Sequence, residues 1–250
     1  MKLIVLAAGK SSRIINHIKV NKCLIKVNNT TILEKIIQNS LINKIKKIDV
    51  VIGYKPKKII EKLKPFKNIN FVINSKFNTT DMVYSSILSL INTNEDVIIT
   101  YSDIFYDAKL LDLILNKKSK NIVIPYSKNW KKVWKIRNKN IFDDAETFKL
   151  NNNNKLIEIG NKLTKTNLKN TNGQFLGIIY IPKNKIRLFI ENYKKIKKKK
   201  IQFTSLLNIL INKFKYKIDT IKYNGPWYEF DDQEDLKNFF KKKFLLTSKK

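Results

Sequence analysis

The sequence predicts an α/β fold in which a mixed, mainly parallel sheet carries helices on both faces. Short apolar runs alternate with helix-like stretches through the first half of the chain, which is typical of a parallel sheet with helical crossovers. The runs are continuous in Ile and Val, as expected for strands that are buried on both faces. A chain of 250 residues, 43% of them apolar, can also bury one large core.

The elements of the first half follow from start and stop signals along the chain. Thr31 and Glu34 form a capping box at the start of a helix predicted over about Ile32–Lys47. A short helix follows Pro56, which suits a first-turn position. Two more helices are predicted at Asp81–Leu90 and near Ala108–Leu115. The predicted strands are Lys2–Leu6, Ile48–Gly53, Ile69–Ile73, Val97–Tyr101 and Ile122–Pro125.

The regular alternation stops after Tyr126. The tract Asn151–Asn154 indicates a hairpin turn between strands Ala145–Leu150 and Leu156–Ile159. We expect residues 127–180 to form an inserted β-subregion over one edge of the sheet, within a single domain spanning 1–250. The remaining predictions are a strand at Gln174–Ile181, helices at about Lys183–Lys194 and Phe203–Lys213, strands Ile218–Lys222 and Trp227–Phe230 that close the sheet, and a helix at Asp232–Lys243.

The net charge of the chain is strongly positive. Its 51 Lys and Arg residues outnumber 20 Asp and Glu residues, for a net charge of +31. Such a charge can indicate binding to nucleic acid or to an anionic membrane. The lysines are scattered through every segment and no recognised nucleic-acid-binding motif accompanies them. We therefore expect no specific nucleic-acid partner, although the field would steer any phosphate-bearing substrate.

Cysteine and histidine are too few for several kinds of site. Cys23 and His17 are each single in the sequence, so neither an internal disulfide nor a Cys/His zinc cluster can form. No apolar stretch approaches the roughly 20 residues of a membrane span, and we expect no leader before the first strand. The simplest expectation is a cytoplasmic enzyme without membrane insertion.

The loop after the first strand is a candidate phosphate-binding element. Small residues there let the backbone approach a ligand closely, and a cation ends the loop. The alternative is a tight turn without a ligand. The candidate nucleotide-binding residues of this loop are Leu6, Ala7, Ala8, Gly9, Lys10, Ser11, Ser12 and Arg13.

Two acidic positions stand at strand ends against the basic background. Asp103 follows the strand that ends at Tyr101, and Asp231 follows the strand that ends near Phe230. Ligands bind outside the carboxyl ends of strands in open α/β sheets, and two carboxylates there could hold Mg²⁺ against phosphate oxygens. The alternative is a pair of ordinary turn or cap aspartates.

These segments resemble the nucleotidyltransferases that join a nucleoside triphosphate to a phosphorylated metabolite. Their signature is an apolar strand, then L-A-A-G-x-G-S/T-R, then a Pro-Lys pair. Here Ser11 replaces the second Gly and Asn21-Lys22 replaces Pro-Lys, while both cations are kept. The resemblance covers essentially the whole chain and implies a Rossmann-like nucleotidyltransferase fold. It also implies that Arg13 binds the β- and γ-phosphates, that Lys22 neutralises the α-phosphate, and that Asp103 and Asp231 bind Mg²⁺.

The stretch from Asn74 to Ser85 narrows the resemblance to phosphocholine- and phosphonate-type cytidylyltransferases. It is similar to their N-x-x-x-x-x-T-N-M-x-x-S loop beside the cytidine, with Asp81 where that pattern has Asn. An acceptor-only carboxylate cannot donate as an amide does. Helix capping alone is the alternative explanation for part of this stretch. The further nucleotide-binding residues implied are Asn78, Thr80, Asp81, Ser85 and Ser102.

A block rich in Trp follows the predicted strand at residue 122. Trp130, Trp134 and Arg137 share one helical face. That face is either a core stripe or a wall of an acceptor pocket, with Arg137 binding phosphate and carboxylates binding an ammonium group. The W-x-x-x-W-x-x-R, D-A-E-T, E-I-G and Q-F-L-G segments resemble the same cytidylyltransferase branch. The candidate acceptor-binding residues are Trp130, Trp134, Arg137, Asp144, Glu146 and Trp227.

The resemblance implies an Mg²⁺-dependent cytidylyltransferase with catalytic residues Lys22, Arg13 and Asp103. Its partners would be CTP and a small phosphorylated or phosphonylated amine or amino acid, of the phosphoglutamine, phosphocholine or 2-aminoethylphosphonate type. The reaction would release pyrophosphate and a product for decorating surface polysaccharide or lipid. Two alternatives stay open: a sugar-1-phosphate nucleotidyltransferase, and a non-catalytic basic nucleic-acid-binding protein. Whether the chain forms a homodimer is open as well.

Overall fold

The computed structural model describes residues 1–10, 21–27, 29–137, 140–198 and 200–241. The strands in these ranges are β1 (Lys2–Ala7), β2 (Lys26–Val27), β3 (Thr30–Thr31), β4 (Lys47–Ile52), β5 (Ile69–Ile73), β6 (Val97–Tyr101), β7 (Ile104–Tyr106), β8 (Ile122–Ser127), β9 (Glu146–Leu150), β10 (Lys155–Lys162), β11 (Gln174–Phe175), β12 (Ile178–Ile181), β13 (Ile218–Tyr223) and β14 (Trp227–Glu229). The α-helices are α1 (Ile32–Ile42), α2 (Pro56–Leu63), α3 (Met82–Leu90), α4 (Ala108–Asn116), α5 (Trp130–Arg137), α6 (Ile141–Asp144), α7 (Lys183–Lys194), α8 (Phe203–Asn212) and α9 (Gln233–Lys241). Among these described ranges, no helix combines the length and the apolar character that a membrane crossing requires.

One large mixed sheet organises the molecule, in the order β5-β4-β1-β6-β12-β8-β13-β10-β9, with β11 paired to β8. Strands β5, β4, β1 and β6 are parallel. Strand β12 then runs antiparallel to both β6 and β8, and β13 is parallel to β8. Antiparallel β10 and β9 complete the far edge. The predicted α/β class with a mixed sheet is confirmed.

The two faces of β1 belong to two different parts of the core. Leu3 and Val5 pack in a cluster that includes residues of α1, α2 and α4. Ile4 and Leu6 pack in a second cluster with residues of α3, α7 and α8. Because successive side chains of a strand point to opposite faces, an unbroken apolar run is what a sheet covered on both faces requires. The helices therefore lie on both sides, as predicted.

Two predicted elements are shorter than expected. Helix α1 ends at Ile42 instead of Lys47 because Lys44 adopts a φ of 60°, which ends a right-handed helix. The predicted strand Gln174–Ile181 is divided into β11 and β12. Gly177 at the break has a φ of 75°, and a Cβ atom there would lie 2.9 Å from the ring of Tyr101, so the position requires glycine.

The end of the chain differs from the prediction in one respect that matters for the site. Strand β14 does not close the main sheet; it pairs with β7 in a separate two-stranded antiparallel sheet. The segment 127–180 is also not wholly β-structure. It begins with α5 and α6, and its strands β9 and β10 extend the edge of the main sheet.

Candidate active site

A cleft of about 500 Å³ lies at the carboxyl ends of β1 and β6, the edge at which open α/β sheets bind ligands. One half is formed by the loop after β1, the turn at Lys22 and the start of α3. The other half is formed by the segments from α5 to β11, the start of α8 and β14. The lining residues are Leu6, Ala7, Ala8, Gly9, Asn21, Lys22, Cys23, Asn74, Phe77, Thr80, Asp81, Met82, Ser85, Tyr101, Ser102, Asp103, Trp134, Asp143, Asp144, Glu146, Gln174, Phe175, Gly177, Gln202, Thr204, Trp227, Glu229 and Asp231.

Most of the predicted site residues in the described ranges line this one cleft. Lys10 and Asn78 are exposed and do not line it, and the buried Trp130 and Arg137 lie behind it. Ser11, Ser12 and Arg13 lie outside the described residues. The predicted residues that line the cleft are Leu6, Ala7, Ala8, Gly9, Lys22, Thr80, Asp81, Ser85, Ser102, Asp103, Trp134, Asp144, Glu146, Trp227 and Asp231.

Asp103 and Asp231 are brought together by the small sheet of β7 and β14. Glu229 lies opposite Ile104 in that sheet, and the backbone N–H of Phe230 donates to the carbonyl of Asp103 at 3.0 Å. The ammonium of Lys22 lies 3.4 Å from Oδ2 of Asp103 and 3.1 Å from Oδ1 of Asp231. The antiparallel pair of β7 and β14 thus brings the two carboxylates together, and Lys22 reaches both of them from the separate turn at residues 22–24.

Three carboxyl groups, those of Asp103, Glu229 and Asp231, crowd together in the cleft, each partly shielded from solvent. Burial raises the pKa of Asp103, while Lys22 lowers it and the charge of Asp231 raises it again. Burial also raises the pKa of Glu229 well above its ordinary value, and Asp231 adds to the effect. Carboxylates crowded in this way resist ionisation unless a cation offsets them. The site therefore attracts positive charge.

The donor set fits a hard divalent cation such as Mg²⁺. Within the described part of the chain, no group of three or more His, Cys, Asp and Glu residues is arranged to hold a metal. Asp103 and Asp231 nevertheless reach a common point, since both contact the same ammonium. Mg²⁺ is usually bound by one or two carboxylates together with water and substrate phosphates. Two carboxylates are therefore enough for a metal that arrives with a nucleotide.

Lys22 is held by the residue that precedes it. The side-chain amide of Asn21 donates to the carbonyl of Tyr54 at 2.9 Å, and this contact anchors the turn that starts at Lys22 to the loop after β4. Both residues are buried. Asn21, at the position where the family signature has Pro, thus fixes the backbone by a hydrogen bond instead of a ring.

The half of the cleft near α3 is organised by Asn74, which begins the stretch singled out in the sequence but was not among the predicted site residues. Its amide donates to Thr80 Oγ1 at 3.2 Å and to Ser85 Oγ at 3.0 Å. Asp81 caps α3 by accepting the N–H of Met82 at 2.7 Å. The signal that could have found Asn74 is its place directly after β5, at the same sheet edge as the other site residues.

The opposite half has aromatic and acidic walls. Trp134 stacks against Trp227 with ring centroids 6.4 Å apart and an interplanar angle of 13°. Trp130 packs edge-on behind Trp134 at 5.5 Å and belongs to the core. Glu146 accepts a hydrogen bond from Thr204 at 3.3 Å. Burial raises the pKa of Glu146, the Thr204 contact lowers it, and Asp144 raises it.

Arg137 does not occupy the position that the sequence predicted. Its side chain is fully buried and its Nε donates to Oδ1 of Asp235 at 2.8 Å. Its other nitrogens lie near Asp144, Glu229 and Asp231. The guanidinium does not line the cleft, so direct binding of an acceptor phosphate by Arg137 does not fit the geometry. The prediction that Arg137 shares a face of α5 with Trp134 was correct, but α9 packs over the end of α5 that carries Arg137.

Comparisons with known proteins identify relatives of the chain. A family model described as the MobA-like NTP transferase domain matches residues 3–165. The chain is also 29% identical over 252 residues to the CTP:phosphoglutamine cytidylyltransferase of Campylobacter jejuni subsp. jejuni serotype O:2. That match covers 94% of this chain and 98% of the relative.

Two solved structures share the fold. The inositol-1-phosphate CTP transferase from T. maritima has a TM-score of 0.74 at 16% identity, covering 94% of this chain and 90% of that one. The CTP:phosphocholine cytidylyltransferase from Streptococcus pneumoniae has a TM-score of 0.69 at 15% identity, covering 96% and 97%. The family match runs from β1 past Lys22, Asp103 and α5, and by this match the chain belongs to the family of MobA-like NTP transferase domains.

Proposed function

We propose that the protein is an Mg²⁺-dependent cytidylyltransferase that couples CTP to a small phosphorylated or phosphonylated amine or amino acid. The observation that carries the proposal is the cleft itself. Lys22, Asp103 and Asp231 meet where the loop after β1 ends, and an aromatic, acidic wall faces them.

The reaction needs positioning and charge neutralisation more than a base. An oxygen of the acceptor phosphate or phosphonate attacks the α-phosphorus of CTP, and the bond to the β-phosphate breaks to release pyrophosphate. An ionised phosphate is already a nucleophile, so the protein gains most by holding the reactants in line and by stabilising the developing charge. Lys22 supplies positive charge at the α-phosphate.

Asp103 and Asp231 would hold Mg²⁺, which when bound neutralises phosphate oxygens during the displacement. The backbone from Ala8 to Ser12 and the side chain of Arg13 would bind the β- and γ-phosphates, with Leu6 and Ala7 at the end of β1 beneath them. Thr80, Asp81, Ser85 and Ser102 would surround the nucleoside, with Asn74 orienting two of their hydroxyls. We assign Asn78 a more peripheral role, because its side chain is exposed.

The choice of CTP and of the acceptor draws on different observations. The relative that is 29% identical over nearly the whole chain is named for CTP and phosphoglutamine. The stacked Trp134 and Trp227, with Glu146, Asp144 and Glu229 nearby, suit a cationic amine, which aromatic faces and carboxylates both attract. A neutral sugar would leave this charge unused.

We place the enzyme in the cytoplasm, as a supplier of activated groups for capsule or other surface decoration. The product would carry a cytidylyl group on its phosphate or phosphonate. A later transferase of the decoration pathway would then consume it.

The test is pyrophosphate release with each of the four common nucleoside triphosphates against phosphoglutamine, phosphocholine, 2-aminoethylphosphonate and glucose 1-phosphate. We expect turnover with CTP and an amine-bearing acceptor, and none without a divalent cation. Turnover with glucose 1-phosphate alone would favour the sugar-phosphate alternative. No turnover with any pair, together with salt-dependent binding of oligonucleotides, would favour the nucleic-acid-binding alternative.

A further inference from the structure

Arg137 and Asp235 form an ion pair at a depth where charge is costly. Both side chains are 0% exposed, and neither lines the cleft. Removing two charges from water is repaid only when the geometry is very good and their other donors and acceptors are satisfied. A pair of this kind lying directly behind a site calls for an explanation beyond stability.

The guanidinium joins Asp235 to Asp231. Nε and Nη2 of Arg137 contact the two oxygens of Asp235 at 2.8 and 3.1 Å, which is the bidentate arrangement of a planar fork. The same Nη2 donates to Oδ2 of Asp231 at 3.1 Å. Oδ2 of Asp235 also accepts the backbone N–H of Asp231 at 2.8 Å.

These contacts determine how Asp231 is presented. Arg137 engages its Oδ2, and Asp235 holds its backbone. Its Oδ1 is thereby directed toward Lys22, at 3.1 Å. Because the carboxylate is held at the backbone and at one oxygen, its rotation is restricted and the other oxygen points into the cleft.

The same arginine also contacts residues that line the half of the cleft with aromatic and acidic walls. Its guanidinium carbon lies 5.0 Å from the ring of Trp134, which precedes it by one turn of α5. Its Nη1 is 3.4 Å from Asp144 and 3.7 Å from Glu229. A shift of α5 would therefore be transmitted to Asp231 through a single side chain.

We propose that Arg137 and Asp235 are positioning residues. They orient Asp231 so that one of its oxygens faces the cation, and they couple that orientation to the position of Trp134 in the aromatic wall of the cleft. This inference rests on the proposed function, since it takes Asp231 to be a metal ligand. Partners that orient metal ligands typically contribute about 10–100-fold in metal affinity or activity.

The experiment measures Mn²⁺ binding by electron paramagnetic resonance, with CTP present and no acceptor, so that nothing turns over. The variants are Asp235→Asn, which keeps the shape but weakens the ion pair, and Arg137→Lys, which keeps the charge but loses the fork. We expect Mn²⁺ to bind about 10–100-fold more weakly in both. The Mg²⁺ concentration needed for half-maximal turnover should rise in parallel, and excess Mg²⁺ should restore part of the rate.

Asp219→Asn is the matched control. Asp219 is also buried and paired, with Lys155, Ser119 and Asn121, but it lies near the start of β13, away from the cleft. We expect this variant to lose thermal stability without any change in Mn²⁺ affinity.

Several results would overturn the inference. Mn²⁺ affinity in Asp235→Asn and Arg137→Lys equal to that of the unmodified chain would show a purely structural pair, and failure of Asp235→Asn to fold would show a requirement of the fold. By contrast, if Asp231→Asn binds Mn²⁺ as tightly as the unmodified chain does, the proposed metal site itself would be overturned. The two failures are therefore distinguishable.

Discussion

The Nζ atom of Lys22 lies 3.1 Å from Oδ1 of Asp231, although 209 positions separate the two residues in the sequence. The contact joins the short turn at Lys22 to the strand end next to α9. The same ammonium is 3.4 Å from Asp103. Lysine and carboxylates therefore form one charge cluster, in which each member should affect turnover.

The two carboxylates give the first prediction. Asp103→Asn and Asp231→Asn should each lower kcat by at least about 100-fold, because a neutral amide is a weak ligand for a hard cation. Pyrophosphate release at saturating Mg²⁺ and circular dichroism measure rate and fold. The exposed Asp112 on α4 provides the control Asp112→Asn, which should be unaffected. Near-normal rates in either site variant would remove that residue from the metal site.

Lys22→Ala should lower kcat by at least about 100-fold, with a smaller effect on the KM for CTP. Its charge is proposed to act mainly where charge develops on the α-phosphate, so the loss belongs to the transition state. Steady-state kinetics with CTP varied measures the split, and Lys26→Ala, at an exposed position four residues on, is the control. A raised KM with unchanged kcat would instead assign Lys22 to ground-state binding.

The stacked tryptophans give a prediction about the acceptor. Trp134→Ala and Trp227→Ala should raise the acceptor KM at least about fivefold, the equivalent of about 1 kcal/mol of cation–π contact. The KM for CTP is the internal control, and Phe240→Ala, at an exposed aromatic on α9, controls for loss of a ring. Equal losses for both substrates would indicate that the pair only supports the fold.

The raised pKa of Glu146 gives a prediction about pH. Burial is the main cause of the shift, so in the free enzyme this carboxyl takes up a proton at a higher pH than an ordinary Glu does. The neutral form loses its attraction for an ammonium group. The kcat/KM for the acceptor should therefore fall as the pH is lowered through this pKa.

Glu146→Gln should make that acid limb shallower, because the amide is neutral throughout. A residual limb should remain from Asp103, whose pKa burial also raises. The full acid limb should remain in the kcat/KM profile of the unmodified chain. It should also remain in that of the control Glu61→Gln, which lies at an exposed position on α2. An acid limb of the same slope in Glu146→Gln would assign the titration to another group.

Local sequence signals predicted which elements carry the site residues better than they predicted how those elements are arranged. The capping box of Thr31 and Glu34 is present, with the Glu34 N–H donating to Thr31 Oγ1 at 3.2 Å. Asp103 and Asp231 follow strands that the apolar pattern predicted. Such features depend on neighbours within a few residues, and a sequence records those directly.

Arg137 and Asp235 show where the sequence was insufficient. Helical spacing placed Arg137 on the face of Trp134, and that was correct. Whether the guanidinium entered the cleft or the core depended on α9, whose Asp235 lies 98 positions away and reaches it. Periodicity defines a face of a helix but not the partner that covers it.

The sequence by itself determined most of the longer strands and helices, the chain's capacity for an α/β core and many residue types of the cleft, because these follow from local periodicity and apolar burial. It did not predict the short strands β2, β3 and β7 or the short helix α6. Only the tertiary structure decided that β14 pairs with β7, that Lys22 meets Asp103 and Asp231, and that Arg137 supports Asp231 from behind. Those contacts join segments far apart in the chain. They depend on how whole elements pack, and no local pattern encodes the cost or gain of burying one particular charge beside another.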